Sequence, residues 1–266
     1  MEIGINFTLG ETLNDVQRLI QDGLVDYCEL LIDNFLHVPP DDIARAFDVP
    51  LGFHIMLSRF LETDLASLKQ LAHRLKPYID TLQPTYISDH VARFSHQGRQ
   101  LYHLAEVDYR QAYHAIKVRV EIWQELTGSQ LLLENFPSIL DGGRDAPEFF
   151  ARLQADTGAG VLFDFSNAIC ARQNCELPLA AWDAVIRGNR HFHVGSYSPS
   201  ILAPPITLDT HDAELSSDTL EFLYQHQEHL QDDGVTLTYE RDDNPGYDVL
   251  ARDLTRLRQH LTSQPD

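Results

Sequence analysis

Glu134 stands at the end of Leu131–Asn135, Leu-Leu-Leu-Glu-Asn. Three consecutive leucines mark a strand buried on both faces, as in a parallel sheet covered by helices. A charge at its end costs several kcal/mol unless a cation meets it. A salt bridge or helix cap would satisfy one such residue, and so would a metal ion at the mouth of a barrel. The pattern recurs. His54 closes Gly-Phe-His, and Asp89 and His90 close Ser-Asp-His. Asp164 and Asn167 come from Val-Leu-Phe-Asp-Phe-Ser-Asn. His191 and His193 come from His-Phe-His, Asp209 and His211 from the Leu-Asp-Thr-His that follows, and Glu240 from Leu-Thr-Tyr-Glu.

A single histidine beside an apolar run is ordinarily a hydrogen-bonded core or surface residue. Six successive apolar runs ending in His, Asp or Glu are another matter. If the ends converge, uncompensated carboxylates repel one another, and bound cations remove that repulsion. The donors are His54, His90, Glu134, Asp164, Asn167, His193, Asp209, His211 and Glu240. They exceed what one ion needs, so a multinuclear site is expected. Imidazole with carboxylate and no thiolate suits Fe, Zn or Mn. Glu134, central in strand order, is the natural bridging carboxylate. Strand alternation puts both imidazoles of His-Phe-His on one face. His193, nearer the C-terminal end, is taken as the ligand and His191 as its supporting neighbour; the roles of Asp89 and Asp242 stay open.

The elements that must position these residues alternate along the chain. Strands are predicted over Ile3–Thr8, Val25–Ile32, Pro50–Ile55, Thr85–Ser88, Gln130–Glu134, Gly160–Phe165, His191–Val194 and Val235–Glu240. Helices are predicted over Leu13–Asp22, from Pro40, and over Asp64–Leu75, Ala105–Leu126, Ala146–Asp156, Pro178–Ile186, Ser216–His229 and Val249–Leu261. Eight strand–helix units without a composition break predict a single (β/α)8 barrel over residues 1–266, with Ser263–Asp266 a frayed tail. Active sites in such barrels lie at the C-terminal strand ends, where the donors above stand.

At 266 residues, 43% of them hydrophobic, the chain can bury a large core. Its net charge of −20 argues against a nucleic-acid or anionic-membrane surface. The acidic excess suits held cations or a positively charged peptide. Three cysteines, Cys28, Cys170 and Cys175, make no even disulfide framework, so a reducing cytoplasm is expected. No signal peptide or membrane-spanning run stands out. His73, His96, His103, His114, His226 and His229 fall in predicted helices or loops and are expected to be solvated. No phosphate-cradling glycine loop or Gly-x-Ser-x-Gly turn is present.

The order of donors from His54 to Glu240 resembles the trinuclear metal pattern of the xylose-isomerase-like barrels that include apurinic endonucleases. Those nucleases commonly have His where Asn167 stands here. A closer resemblance covers nearly the whole chain. Ile-Gly-Ile-Asn-Phe-Thr, Phe-His-Ile-Met-Leu-Ser, Leu-Glu-Asn-Phe-Pro-Ser-Ile-Leu-Asp, Phe-Asp-Phe-Ser-Asn-Ala-Ile-Cys-Ala, Asp-Thr-His-Asp and Thr-Tyr-Glu-Arg-Asp look like the multinuclear non-heme iron-dependent oxidases, in their methanobactin-biosynthesis (MbnB-type) branch. The resemblance implies a heterodimer with a small MbnC-like protein. It implies an MbnA-like precursor peptide with a leader and core cysteines. Two or three iron ions, mixed-valent Fe(II)/Fe(III), would use O2 to turn a cysteine into an oxazolone with an adjacent thioamide, a four-electron oxidation in the making of a copper chelator. Two other functions remain open on the residues alone: a zinc-dependent hydrolase or endonuclease, and a non-catalytic peptide-binding subunit.

Overall fold

Eight parallel strands close into a barrel in the computed structural model, which describes residues 1–8, 10 and 12–262. The elements are β1 (Glu2–Phe7), α1 (Leu13–Gln21), β2 (Tyr27–Leu31), α2 (Pro40–Ala46), β3 (Leu51–Ile55), α3 (Leu65–Leu82), β4 (Ile87–His90), β5 (Arg93–His96), β6 (Arg99–Ala105), α4 (Tyr113–Thr127), β7 (Leu131–Glu134), α5 (Ala146–Thr157), β8 (Gly160–Asp164), α6 (Phe165–Cys175), α7 (Asp183–Arg187), β9 (His191–Val194), β10 (Tyr197–Pro199), β11 (Thr207–Asp209), α8 (Ser217–Gln225), α9 (Gln227–Leu230), β12 (Thr236–Tyr239) and α10 (Tyr247–Thr262). The barrel runs β1-β12-β9-β8-β7-β4-β3-β2 and back to β1. All eight expected strands are in it, as the (β/α)8 expectation requires.

The strands are buried on both faces because two apolar layers use them. Outward residues such as Phe53, Phe163 and Phe192 meet the helices, with Trp123 and Trp182 among them. Inward residues Tyr27, Tyr86, Leu132 and Leu162 form a second cluster inside the barrel. The Tyr86 ring crosses the interior over Gly52, where a Cβ would stand 2.6 Å from its Cζ. This plug leaves the strands' C-terminal ends for a polar site.

Three expectations are corrected. Ala105, the expected start of a helix running to Leu126, instead ends a hairpin of β5 and β6 over residues 93–105. Gln97 and Gly98 turn it with φ of +50° and +74°, and α4 begins only at Tyr113. Asp108 stops the chain first, accepting the backbone N–H groups of Arg110 and Gln111. Second, α6 follows β8 directly, where no helix is predicted. Eight of its residues, Phe165 to Ala171 and Cys175, are buried, so it shows no amphipathic stripe. Third, α3 runs on through Pro77 to Leu82. Pro77 lies on the exposed face, where water can meet the carbonyl its missing N–H frees. The predicted tail Ser263–Asp266 lies outside the described residues. Among the described residues no helix is long and apolar enough to cross a membrane.

Candidate metal centre

The barrel mouth gathers the predicted donors. His54, His90, Glu134, Asn167, Asp209, His211 and Glu240 line one cavity of about 540 Å3. Asp164 and His193 stand beside it, both fully buried. Two groups have ligand atoms close enough to share an ion: His54, His90 and Glu134, and Glu134, Asp164, His193 and Glu240. Glu134 belongs to both. Its Oε2 is 3.0 Å from His90 Nε2 and 3.6 Å from His54 Nε2, and its Oε1 is 3.7 Å from His193 Nδ1. A third convergence lies at the far side, where His211 Nε2 is 2.8 Å from Asp209 Oδ1 and 3.5 Å from Glu240 Oε2.

Strand ends explain the first donors, and connecting segments the rest. His90 and Glu134 are paired in register across β4 and β7, as are Asp164 and His193 across β8 and β9. Asp164 also caps α6, its Oδ1 accepting the N–H of Asn167 at 2.8 Å. Asp209 ends β11, the return strand of a hairpin with β10. His211 follows with φ of +49°. A Cβ at Gly195 would strike the His211 ring, so glycine there admits it.

Each imidazole has its far nitrogen held, which fixes ring and tautomer. His54 Nδ1 meets Ser88 Oγ at 2.7 Å, His90 Nδ1 meets the Ile55 carbonyl at 3.2 Å, and His211 Nδ1 meets Asp242 Oδ2 at 3.2 Å. His193 Nε2 meets Glu29 Oε2 at 2.7 Å. Glu29 was not anticipated. It lies inside β2, with Leu30 and Leu31 after it, so no strand end advertises it. Tyr86 OH donates to the same Glu29 oxygen at 2.8 Å.

Electrostatics leave the cluster short of positive charge. Burial, then the charges of Asp209, Glu240 and Glu134, push Asp164 well above the usual carboxylate range. Burial also raises Glu240. Burial opposes ionisation of Glu134 too, but the adjacent His193 and His90 imidazoles hold it well below its usual value. His54 is pushed down to about 4 by burial and His90, and is a neutral donor at neutral pH. His193 and His211, though buried, are raised by Glu240 and neighbouring carboxylates. Among the described residues, the buried atoms Asp164 Oδ2, Asn167 Oδ1, His193 Nδ1, Asp209 Oδ1, His211 Nε2 and Glu240 Oε2 find no hydrogen-bond partner. Orphaned buried acceptors on one convergent surface fit divalent ions, and the nitrogen–oxygen donor set fits a borderline transition metal.

The remaining predicted residues are placed differently. Asn167 reaches the mouth, but its Nδ2 donates to the Asn135 carbonyl at 2.9 Å and to Glu134 Oε1 at 3.3 Å. Its Oδ1 is left as the possible donor. Asp89 faces the helices, accepting from Ser58 Oγ and Trp123 Nε1. His191 is at the barrel base, against Thr236 and the Tyr86 ring, away from the mouth. His103 lies on β6 and lines the cavity rather than a remote loop. His226 packs on Phe222, and His229 Nε2 bonds the Asn189 carbonyl, so both are packed rather than solvated.

The fold is shared widely. A 3-keto-D-glucoside 4-epimerase from E. coli superposes with a TM-score of 0.65 at 13% identity, over 97% of this chain and 99% of that one. Endonuclease IV from Thermus thermophilus gives 0.59 at 18%, over 98% and 99%. In sequence, the chain is 30% identical over 207 residues to a UPF0276 protein of Caulobacter sp. (strain K31), covering 74% of this chain and 71% of that protein. A UPF0276 protein of Anaeromyxobacter sp. (strain Fw109-5) is 28% identical over 209 residues, 75% and 72%. The family model described as "RiPP precursor modification enzyme MbnB/TglH/ChrH" matches residues 3–262. With buried His, Glu and Asp groups able to hold metal ions at the mouth of such a barrel, the chain belongs to the MbnB/TglH/ChrH family of enzymes that modify ribosomal precursor peptides.

Proposed function

We propose that this protein is a multinuclear non-heme iron-dependent oxidase of the methanobactin branch. Its substrate would be a cysteine in an MbnA-like precursor peptide, and its products an oxazolone with an adjacent thioamide. The observation that carries this is Glu134, shared between two ligand groups at the mouth of a barrel whose family modifies peptides. The ligands would be His54, His90, Glu134, Asp164, Asn167, His193, Asp209, His211 and Glu240. Iron ions held by these residues would supply redox capacity for a four-electron oxidation, with four hydrogens leaving the peptide and one dioxygen becoming two waters.

The chain's own residues then have three tasks. Ser88, the Ile55 carbonyl, Glu29 and Asp242 hold the imidazoles in place before any ion arrives. Glu134 faces both groups, so a thiol and dioxygen would be held near each other. Leu31, Met56, Val91 and Phe136 line the mouth with apolar surface that excludes water. An MbnC-like partner would supply most peptide recognition, since a metal site by itself would take any thiol that reached it.

Metal analysis joined to oxygen uptake tests this. The expected result is iron, with O2 consumed only when a cysteine-containing precursor and the partner are present. Zinc with abasic-site cleavage would replace the proposal by a hydrolase, and inert metal-free protein by a binding subunit.

A further inference from the structure

The cavity mouth has two unlike halves. Strand alternation puts residues i and i+2 on one face. Two positions beyond Glu29, His54 and Glu134 stand Leu31, Met56 and Phe136, and all three line the cavity above the donor layer. Their strands, β2, β3 and β7, form with β4 one contiguous arc of the barrel. The excursion after β4 adds Leu104, and the segment after β7 adds Ile139, 39% exposed. Across the mouth the arc of β8, β9, β12 and β1 presents Asn167, Thr210, His211, Asp242, Asn6 and Thr8; Leu208 is the apolar exception. Among the described residues no lysine or arginine lines the cavity.

Half-buried apolar side chains facing an open cavity cost free energy that a bound apolar group recovers. The donors beneath them would take the reacting sulfur. An apolar wall directly above that layer, a few ångströms along each strand, lies where the adjoining residue of a peptide would sit. We infer that the β2–β3–β4–β7 half of the mouth is a specificity subsite for an apolar side chain next to the modified cysteine, with Met56, Leu104, Phe136 and Ile139 as its walls. Among the described residues an acidic neighbour would meet no lysine or arginine there. This rests on the peptide-oxidase proposal above.

Six probes test it: N-acetyl-leucyl-cysteine amide and its counterparts with alanine, lysine or aspartate before the cysteine, and N-acetyl-cysteinyl-leucine amide with its cysteinyl-alanine counterpart. Iron-loaded protein is titrated with each under argon by calorimetry, while absorption follows thiol arrival at iron. One of the two leucine orders should bind about ten-fold tighter than its alanine counterpart and more tightly still than the aspartate probe. Leu104→Ser, on a hairpin outside the barrel, should bring the leucine-to-alanine ratio toward one, with circular dichroism confirming the fold. Equal affinities for all probes would overturn the subsite while leaving the oxidase proposal standing. Absence of a thiol-dependent absorption change with every probe would also overturn the subsite, whereas the oxidase proposal falls on the metal and oxygen-uptake result with full-length precursor and partner.

Discussion

Glu29 Oε2 lies 2.7 Å from His193 Nε2, on the side of the ring away from Glu134 and Glu240. The carboxylate therefore turns Nδ1 toward the two acids. His193 Nδ1 is 3.1 Å from Glu240 Oε2 and has no hydrogen-bond partner. Tyr86 in turn holds Glu29 from below. A carboxylate behind a ligating imidazole raises its basicity and fixes its orientation.

Glu29→Ala should therefore weaken the inner ion by roughly 10–100-fold without unfolding the barrel. Competition against a graded chelator, read as bound metal per chain, measures this. An unchanged titration would show that His193 needs no such support.

Glu134→Ala removes the one side chain common to both ligand groups. More than one ion should be lost together, and oxygen-dependent activity should vanish while circular dichroism stays native. Full iron content in this variant would refute the shared-ligand assignment.

Asn167 offers a neutral amide oxygen where the other donors are imidazoles or carboxylates, and its nitrogen is already bound to Asn135 and Glu134. An amide is the weaker donor. Mild chelation should strip the ion nearest Asn167 first, giving a stepwise loss, and Asn167→His should flatten the step. Simultaneous loss of all ions from the native protein would remove the basis for this.

Gly52→Ala places a Cβ 2.6 Å from Tyr86 Cζ, inside the barrel where the ring cannot swing freely. The overpacking should cost about 1–3 kcal/mol. Thermal unfolding should show a Tm lower by several degrees, and the shift of Tyr86 should also loosen Glu29 and hence the metal. A Tm equal to that of the parent protein would mean that the ring relocates without strain.

Peptide recognition should depend on a second chain. Product formation from a full-length precursor, at equal iron loading, should be faster and more selective with an MbnC-like partner than without, because tethering the leader makes cysteine capture effectively intramolecular. Equal rates for the lone chain would end this account.

The order and type of the barrel strands were legible because each is an apolar run, and because a residue on the inward face near the end of such a run stands at the mouth. His54, His90, Glu134, Asp164, His193 and Glu240 could all be placed at the mouth in that way. The sequence was also enough for Asp209 and His211 as a pair, though not for the β10–β11 hairpin that delivers Asp209. What a one-dimensional pattern does not carry is contact across the barrel. Glu29 is 164 positions from His193, and it sits before two leucines that make its strand look closed. Only the closure of β2 and β9 into one barrel brings the two together. The same holds for α6, whose burial on every face erases the periodicity that would reveal it. It holds too for His191, which strand alternation puts on the same face as His193 but which lies two residues lower, at the tyrosine-filled base. Alternation decides which face a residue takes; depth within the barrel, set by register against the neighbouring strands, decides whether it meets the candidate metal centre or the plug.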